Sequence, residues 1–224
     1  MEAGQAVGRR LAEAAALGWR EGATERTLRR DGRRWTAWTG WVLFVFVTPG
    51  VVLLAIEPLT FPAALLCFAH AYAVPRIQAS RGARSPVAIG SDRSASRLAG
   101  ADPRAERVAL GLLGDLLGDE ARELVATTGL AMERGRLGVW LLGEQGAILV
   151  RPGGRRAFCW CVRIGKPDEL PAGDRVAHLL LALREDEEGF ATVANLQFSG
   201  AVWRVRRRME PRARAALRAA SCSA

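Results

Sequence analysis

The sequence predicts an α+β soluble domain attached to a two-helix transmembrane hairpin. One observation is a long stretch near the N-terminus, residues 35–75, in which Glu57 is the only formally charged side chain. A second is that helical and strand patterns alternate over the second half of the chain. The third is the composition of the 224 residues, of which half are apolar and a quarter are charged. Such a balance requires the apolar residues to be concentrated in one part of the chain.

The turn of the predicted hairpin lies at Glu57 and Pro58. Residues 35–56 would form a helix ~33 Å long, which is enough to cross a hydrocarbon core of about 30 Å. Residues 59–75 would span roughly 26 Å, at the short end of the transmembrane range. A carboxylate is costly at mid-bilayer, and proline disfavours helix in the residue before it. The pair therefore predicts a tight turn at the membrane surface.

Two other interpretations of the apolar stretch stay open. Residues 69–71 resemble a signal-peptidase site, although the apolar stretch before them is longer than that of a signal peptide. The other interpretation is a hairpin buried within a soluble protein.

Arginines flank the predicted hairpin on both sides, whereas the turn carries only Glu57. The positive-inside rule then places both termini in the cytoplasm and predicts a multi-pass protein of the inner (plasma) membrane. We expect the flanking arginines to contact anionic headgroups of the lipid bilayer. They are Arg29, Arg30, Arg33, Arg34, Arg76, Arg81 and Arg84. The bias towards arginine, with Lys166 as the only lysine in a chain of net charge +9, is typical of a GC-rich bacterial genome.

Three further segments complete the predicted organisation. Residues 1–34 are predicted to be a cytoplasmic helical segment with a narrow apolar face, which lies either on the membrane surface or in solvent. Residues 76–101 are rich in Ser, Arg, Gly and Ala and predict a flexible linker. Residues 102–224 are predicted to form the cytoplasmic α+β domain.

The predicted domain begins at Asp102 and Pro103, a favourable N-cap and first-turn pair. An apolar stripe then predicts helix to about Gly129. Strand patterns follow at 137–142, 147–151 and 157–164, then a helix at 173–188, strands at 190–198 and 201–208, and a last helix after Pro211. The order α-β-β-β-α-β-β-α predicts a mostly antiparallel sheet.

Cys159 and Cys161 are candidate metal ligands, because a spacing of two places both on one face of a strand. Zinc prefers four ligands, however, and no CxxC motif or paired histidine accompanies them, so two half-buried structural cysteines are the alternative. His178 is a candidate general base if a nucleophile and an acid lie beside it. A histidine at the boundary of the core is its alternative. No cofactor is predicted.

Glu185 and Asp186 belong to an acidic run, EDEE at 185–188, at the predicted end of a helix. Acids at a helix C-terminus oppose the macrodipole, which favours a basic partner for the run, such as residues 206–208. A solvated acidic turn and a carboxylate metal site are the alternatives.

Arg204, Arg206 and Arg208 would share one face of the predicted strand 201–208. Together with RPGGRR at 151–156 they would form a basic surface that faces membrane phosphates, an acidic partner or solvent. The nearby acids and the single lysine disfavour nucleic acid as a partner.

The layout also resembles that of bacterial membrane proteins carrying a nuclease-related domain. AERVALGLLGDLL at 105–117 is similar to the first helix of that domain, and LGVWLLGEQGAILVRPG at 137–153 to its first hairpin. This resemblance implies an α-β-β-β-α-β fold behind a two-span hairpin.

The catalytic positions that the resemblance implies are absent. The acids and lysine of the family's hairpin fall on Gly138, Arg151 and Gly153, which can neither bind Mg²⁺ nor activate water. Glu106 alone would match. The resemblance therefore implies a domain that lacks metal-dependent cleavage chemistry.

The sequence thus favours a membrane-anchored cytoplasmic binding or adaptor protein, without an evident catalytic site and with a protein partner that it does not identify. One alternative is an enzyme of unrecognised type, with a degenerate nuclease-like fold or a site built from His178, the cysteines and carboxylates. Another is a structural subunit of a larger membrane complex, in which the alanine-rich second span packs against another helix.

Overall fold

The computed structural model of the protein describes residues 11–86, 103–162 and 170–224. In these residues a five-stranded antiparallel sheet lies between two layers of helices, and two long apolar helices extend from it. The predicted combination of helices, an antiparallel sheet and two long apolar helices near the N-terminus is therefore confirmed.

The helices are α1 (Ala12–Ala16), α2 (Glu25–Ile56), α3 (Phe61–Arg84), α4 (Pro103–Leu116), α5 (Asp119–Thr128), α6 (Ala172–Glu185), α7 (Glu187–Val193), α8 (Val202–Arg206) and α9 (Ala213–Ser223). The strands are β1 (Ala131–Arg134), β2 (Val139–Gly143), β3 (Gly146–Val150), β4 (Arg156–Cys161) and β5 (Asn195–Ala201). A 3-10 turn, Pro58–Thr60, joins α2 to α3.

Helices α2 and α3 form an antiparallel hairpin that turns at Glu57, as the sequence predicts. Its carboxylate accepts a hydrogen bond from the backbone N–H of Leu59 (3.3 Å). A Cβ on Gly50 would lie 2.9 Å from the ring of Phe68, so glycine allows the two helices to approach closely. Only 11% of the most apolar window of each helix is buried within this chain, and by length and composition both helices can cross a membrane.

The sheet is a meander in which each strand pairs with the next along the chain. Both of its faces are covered, which explains why β2 and β3 are buried throughout and read as continuous apolar runs. One face packs against α4, α6, α7 and the start of α2, through side chains that include Trp140, Leu149, Phe158 and Trp160. The other packs against the end of α3 and against α8 and α9, through side chains that include Leu141, Ile148, Cys159 and Phe198.

The predicted strand at 190–198 is wrong in its first half, and the predicted strand at 201–208 is wrong in nearly all its length. Helix α7 occupies the start of the first segment, and α8 begins directly after β5. Val202, Val205 and Met209 pack on the core, and their spacing of three and four fits one face of a helix and not the period of two of a strand. Arg204, Arg206 and Arg208 therefore do not share a strand face.

Strand β1, which was not predicted from the sequence, pairs with the outer edge of β2.

The flexible linker predicted at 76–101 is also wrong over residues 76–86. Helix α3 continues to Arg84, and Ala79 and Ala83 are buried against the sheet. The small residues that suggested flexibility instead allow the helix backbone to lie close to the core. Residues 87–101 lie outside the described residues.

Residues 11–34 are part of the folded domain rather than a separate segment. Helix α2 begins ten residues before Trp35, and Leu28 on its first turns is 3% exposed in the core. Ahead of it, Leu11 N–H donates to Asp186 (3.2 Å), and Arg20 Nη1 donates to the carbonyl of Thr192 (2.8 Å). Two helices therefore enter the domain from the hairpin without an intervening linker in the described residues.

Candidate anion-binding site

A basic cleft of about 550 Å³ opens between α2 and the turn that joins β3 to β4. We call it the arginine cleft. Its lining consists of Leu28, Arg29, Gly32, Arg33, Arg151, Pro152, Arg155, Arg156 and Phe158.

The turn that forms one wall of the cleft depends on two glycines. Gly153 and Gly154 both have positive φ, at 88° and 63°, a conformation that glycine adopts at little cost. The turn is closed by hydrogen bonds from Gly154 N–H to the carbonyl of Arg151 (2.9 Å) and from Arg151 N–H to the carbonyl of Arg156 (3.1 Å). The RPGGRR run thereby holds its three arginines against the start of α2.

The cleft carries more positive than negative charge. Among the described residues, Glu25 is the acid that pairs with its arginines, at 2.7 Å from Arg29 and 2.8 Å from Arg151. These two hydrogen bonds lower the pKa of Glu25, so the carboxylate is ionised at neutral pH. Within the ranges that the structure describes, the guanidinium groups of Arg33 and Arg155 take part in no hydrogen bond or ion pair.

Arg156 fixes the cleft to the hairpin helix. Its Nη1 donates to the carbonyl of Gly32 (2.8 Å) and to Ser199 Oγ (3.2 Å), and its Nη2 donates to Thr36 Oγ1 (2.7 Å). Burial and, secondarily, the charge of Arg151 lower the pKa of Arg156. An arginine stays charged at neutral pH even so, and here all three of its acceptors are neutral. Its positive charge is therefore available to an anion in the cleft.

The predicted cysteine and histidine candidates do not meet. Cys159 is fully buried on the sheet face that packs against α3 and α9, and burial raises the pKa of its thiol, which keeps it neutral. His178 is exposed on α6, which packs against the opposite face. Cys161 is half-buried at the end of β4. In the ranges that the structure describes, no group of three or more His, Cys, Asp or Glu side chains is placed to hold a metal ion.

The acidic run 185–188 lies between two helices. Glu185 is exposed at the end of α6, whereas Asp186 is the N-cap of α7 and accepts from Gly189 N–H (2.8 Å). Acids at the start of a helix are favoured by its macrodipole, so the predicted conflict does not arise for α7. The basic partner is Arg136, 3.0 Å from Glu188, and the expected pairing with residues 206–208 is wrong.

Glu187 connects the acidic run to the sheet. It accepts hydrogen bonds from the backbone N–H groups of Arg136 (2.7 Å) and Leu137 (3.1 Å) and from Trp140 Nε1 (2.6 Å). Its side chain is only 10% exposed. This carboxylate holds the β1–β2 turn in place, a role that no local sequence pattern indicates.

The three arginines predicted to share a strand face, Arg204, Arg206 and Arg208, are placed differently from one another. Arg204 donates to the carbonyl of Pro75 (2.9 Å), and burial lowers its pKa. Arg208 is half-buried and lines a second basic groove, and Arg206 is exposed outside it.

Two residues that bear on the nuclease-like layout have structural roles. Glu106 accepts hydrogen bonds from the N–H groups of Ala172 (2.8 Å) and Gly173 (3.2 Å), so it caps the start of α6. Gly138 has a φ of 147°, and a Cβ there would lie 2.3 Å from the carbonyl oxygen of Val150.

RPGGRR and the arginines of residues 29–34 are both visible in the sequence, but no sequence pattern brings them together. The missing information was that α2 begins before the apolar stretch and lies beside the β3–β4 turn.

Compared with known proteins, the chain matches no family model, no curated protein and no solved structure.

Proposed function

We propose that this protein is a multi-pass protein of the inner (plasma) membrane whose cytoplasmic α+β domain binds a phosphate-bearing anion in the arginine cleft. The observation that carries the proposal is the charge of the cleft. Five arginines line it, and in the described residues one carboxylate, Glu25, offsets them.

The chemistry of the cleft favours binding. A guanidinium is planar and offers two parallel donors that match two oxygens of a phosphate or carboxylate. It does not exchange protons near neutral pH, so this lining can hold and orient an anion but cannot act as an acid or base. Arg33 and Arg155, whose guanidinium groups have no partner in the described ranges, lie on opposite walls, one on α2 and one on the turn.

The membrane placement is supported by the exposed apolar faces of α2 and α3 and by the arginines that flank them. With residues 35–75 in a bilayer, the cleft lies on the cytoplasmic side by the positive-inside rule. Gly32 and Leu28 are about 5 and 10 Å along α2 from Trp35, so the cleft would lie just beyond the headgroups. Because α2 and α3 both enter the core of the domain, its height above the membrane would be fixed.

Anion binding is tested with pyrophosphate as the probe, by calorimetry on the full-length protein in mild detergent. We expect the double variant Arg33→Gln/Arg155→Gln to bind at least about 10-fold more weakly than the wild type, because two charge-assisted contacts are lost. Neither side chain has a partner in the described residues, so the fold is expected to be retained.

The matched control is Arg218→Gln, which removes one exposed arginine on α9 that does not line the cleft. It is expected to bind pyrophosphate like the wild type. Equal affinity of the double variant and the wild type, or no binding by either, would refute the proposed role of the cleft.

The topology is tested with a membrane-impermeant maleimide and peptide mass spectrometry. Cys222 is exposed, so we expect it to react only after the membrane is opened, if the C-terminus is cytoplasmic. Cys159 is expected to stay unmodified in both conditions until denaturant is added, because its thiol is fully buried and neutral. Labelling of Cys222 in intact cells would place the domain outside and contradict the proposal.

A further inference from the structure

A second basic groove, of about 220 Å³, lies between α3 and α8. We call it the interfacial groove, and the residues that matter here are Tyr72, Arg76, Trp203, Arg204, Arg207 and Arg208. Helix α8 follows the last strand directly, so the sheet holds this helix beside the end of the apolar hairpin.

Four guanidinium groups line the groove, and no carboxylate lines it among the residues that the structure describes. Arg204 donates to the carbonyl of Pro75 and lies over the ring of Phe198, 5.2 Å from its centroid. Arg76 donates to the hydroxyl of Tyr72, and Arg207 lies over the ring of Trp203 at 5.0 Å. All of these partners are neutral, and in the described ranges no ion pair joins an acid to any of the four arginines, Arg208 included.

The level of the groove along the hairpin follows from contacts between α2 and α3. The rings of Phe46 and His70 stack at 5.4 Å, and in antiparallel helices this pairing places Trp41 level with Pro75. Trp41 is 58% exposed and Trp203 is 53% exposed. Tryptophan and tyrosine prefer the boundary between bilayer and water, so the groove would lie at the depth of the lipid headgroups.

We propose that the interfacial groove binds the phosphate headgroup of an anionic phospholipid of the cytoplasmic leaflet. This inference rests on the membrane placement proposed above, but not on the arginine cleft. Guanidinium groups would take the phosphate, and the exposed rings of Tyr72 and Trp203 would lie at the boundary with the acyl chains. A soluble phosphate would use the charges but not the exposed aromatic rings, which is why a lipid is the better occupant.

Native mass spectrometry of the full-length protein tests the proposal, with phosphatidylglycerol and phosphatidylcholine as the two added lipids. We expect the wild type to retain phosphatidylglycerol in preference to phosphatidylcholine. The double variant Arg207→Gln/Arg208→Gln is expected to lose roughly 10- to 30-fold in affinity for phosphatidylglycerol, because each arginine near a membrane surface contributes about 1 kcal/mol.

Arg206→Gln is the matched control, since Arg206 lies on the same helix, is exposed and does not line the groove. It is expected to retain the lipid like the wild type. An equal loss in Arg206→Gln would show that α8 acts only through its overall charge and would overturn a defined site. Equal retention of the two lipids by the wild type would also overturn it.

A third arm separates the lipid from its soluble headgroup. Glycerol phosphate is added as a competitor, and we expect it to displace little phosphatidylglycerol, because it lacks the acyl chains. Full displacement at matched concentration would instead identify a site for soluble anions. The arginine cleft is tested independently of this groove. Pyrophosphate binding that depends on Arg33 and Arg155 can be observed even if the interfacial groove does not bind lipid.

Discussion

Replacing Glu187 with alanine is expected to destabilise the α+β domain by about 3 kcal/mol or more, the largest effect of any single substitution that we predict. The carboxylate accepts from two backbone N–H groups of the β1–β2 turn and from the indole of Trp140. In the alanine variant these donors lose their acceptor while Trp140 itself stays fully buried. A buried donor left without a partner costs about 1–3 kcal/mol.

The measurement is urea unfolding of the full-length protein in detergent, followed by near-UV circular dichroism. Trp140 packs against Trp160, with 5.1 Å between the ring centroids, so the signal reports on the region affected. Glu187→Gln keeps one acceptor oxygen and is expected to lie between the wild type and the alanine variant.

Glu188→Ala is the matched control for Glu187. Glu188 pairs with Arg136 at the surface, where both side chains are substantially exposed (42% and 76%). Such pairs contribute about 0–1 kcal/mol, so the control is expected to remain close to the wild type. If Glu187→Ala and Glu188→Ala had the same stability, the buried carboxylate would not be what holds the β1–β2 turn.

Replacing Gly82 with alanine is expected to destabilise the joint between α3 and the sheet by about 2–3 kcal/mol. The added Cβ would lie 2.5 Å from the Cβ of Phe198. That atom is at the root of the side chain, so a new rotamer of Phe198 does not remove the clash. The ring is also enclosed, with Trp35 at 5.8 Å on one side and Arg204 at 5.2 Å on another. We therefore expect α3 to shift away from the sheet.

The shift is measured by limited proteolysis with trypsin together with urea unfolding. We expect faster cleavage after Arg81 and Arg84 in the variant, because the last turns of α3 lose their packing. Gly111→Ala is the matched control: it lies within α4, where a Cβ meets no atom within 4 Å. This control is expected to be stabilised by up to about 1 kcal/mol, because alanine favours helix over glycine. If trypsin cleaved Gly82→Ala at the same rate as the wild type, the side chain of Phe198 would be shown to move aside at little cost.

The position of a helix or strand was predictable where the residue pattern fits only one kind of secondary structure. Residues 35–75 carry no formal charge apart from Glu57, so two long apolar helices followed from the apolar stretch, and a turn followed from the Glu57-Pro58 pair. The strands β2, β3 and β4 followed from short apolar runs separated by turn residues. At residues 201–208, in contrast, arginines and apolar residues fit both a strand and a helix, and packing of Val205 on the core selected the helix.

The candidate sites were predictable as residue types but not as places. RPGGRR and the arginines before the apolar stretch are visible in the sequence, and so is the basic run after β5. Which arginines share a cleft depends on where α2 begins and on how α3 continues past Pro75. Those features depend on contacts between residues more than 100 positions apart, such as Arg156 with Gly32 and Gly82 with Phe198.

The sequence by itself thus determined the two apolar helices, the basic character of their flanks and most of the antiparallel sheet, because hydrophobicity and turn chemistry act over a few neighbouring residues. Only the tertiary structure decided that small residues at 79–83 form a packed joint instead of a linker. It alone decided that Glu187 is a buried acceptor, and that the arginines gather into two separate basic sites. In each case the deciding contact joins segments that are distant in the chain, and close packing fixes which side chains meet.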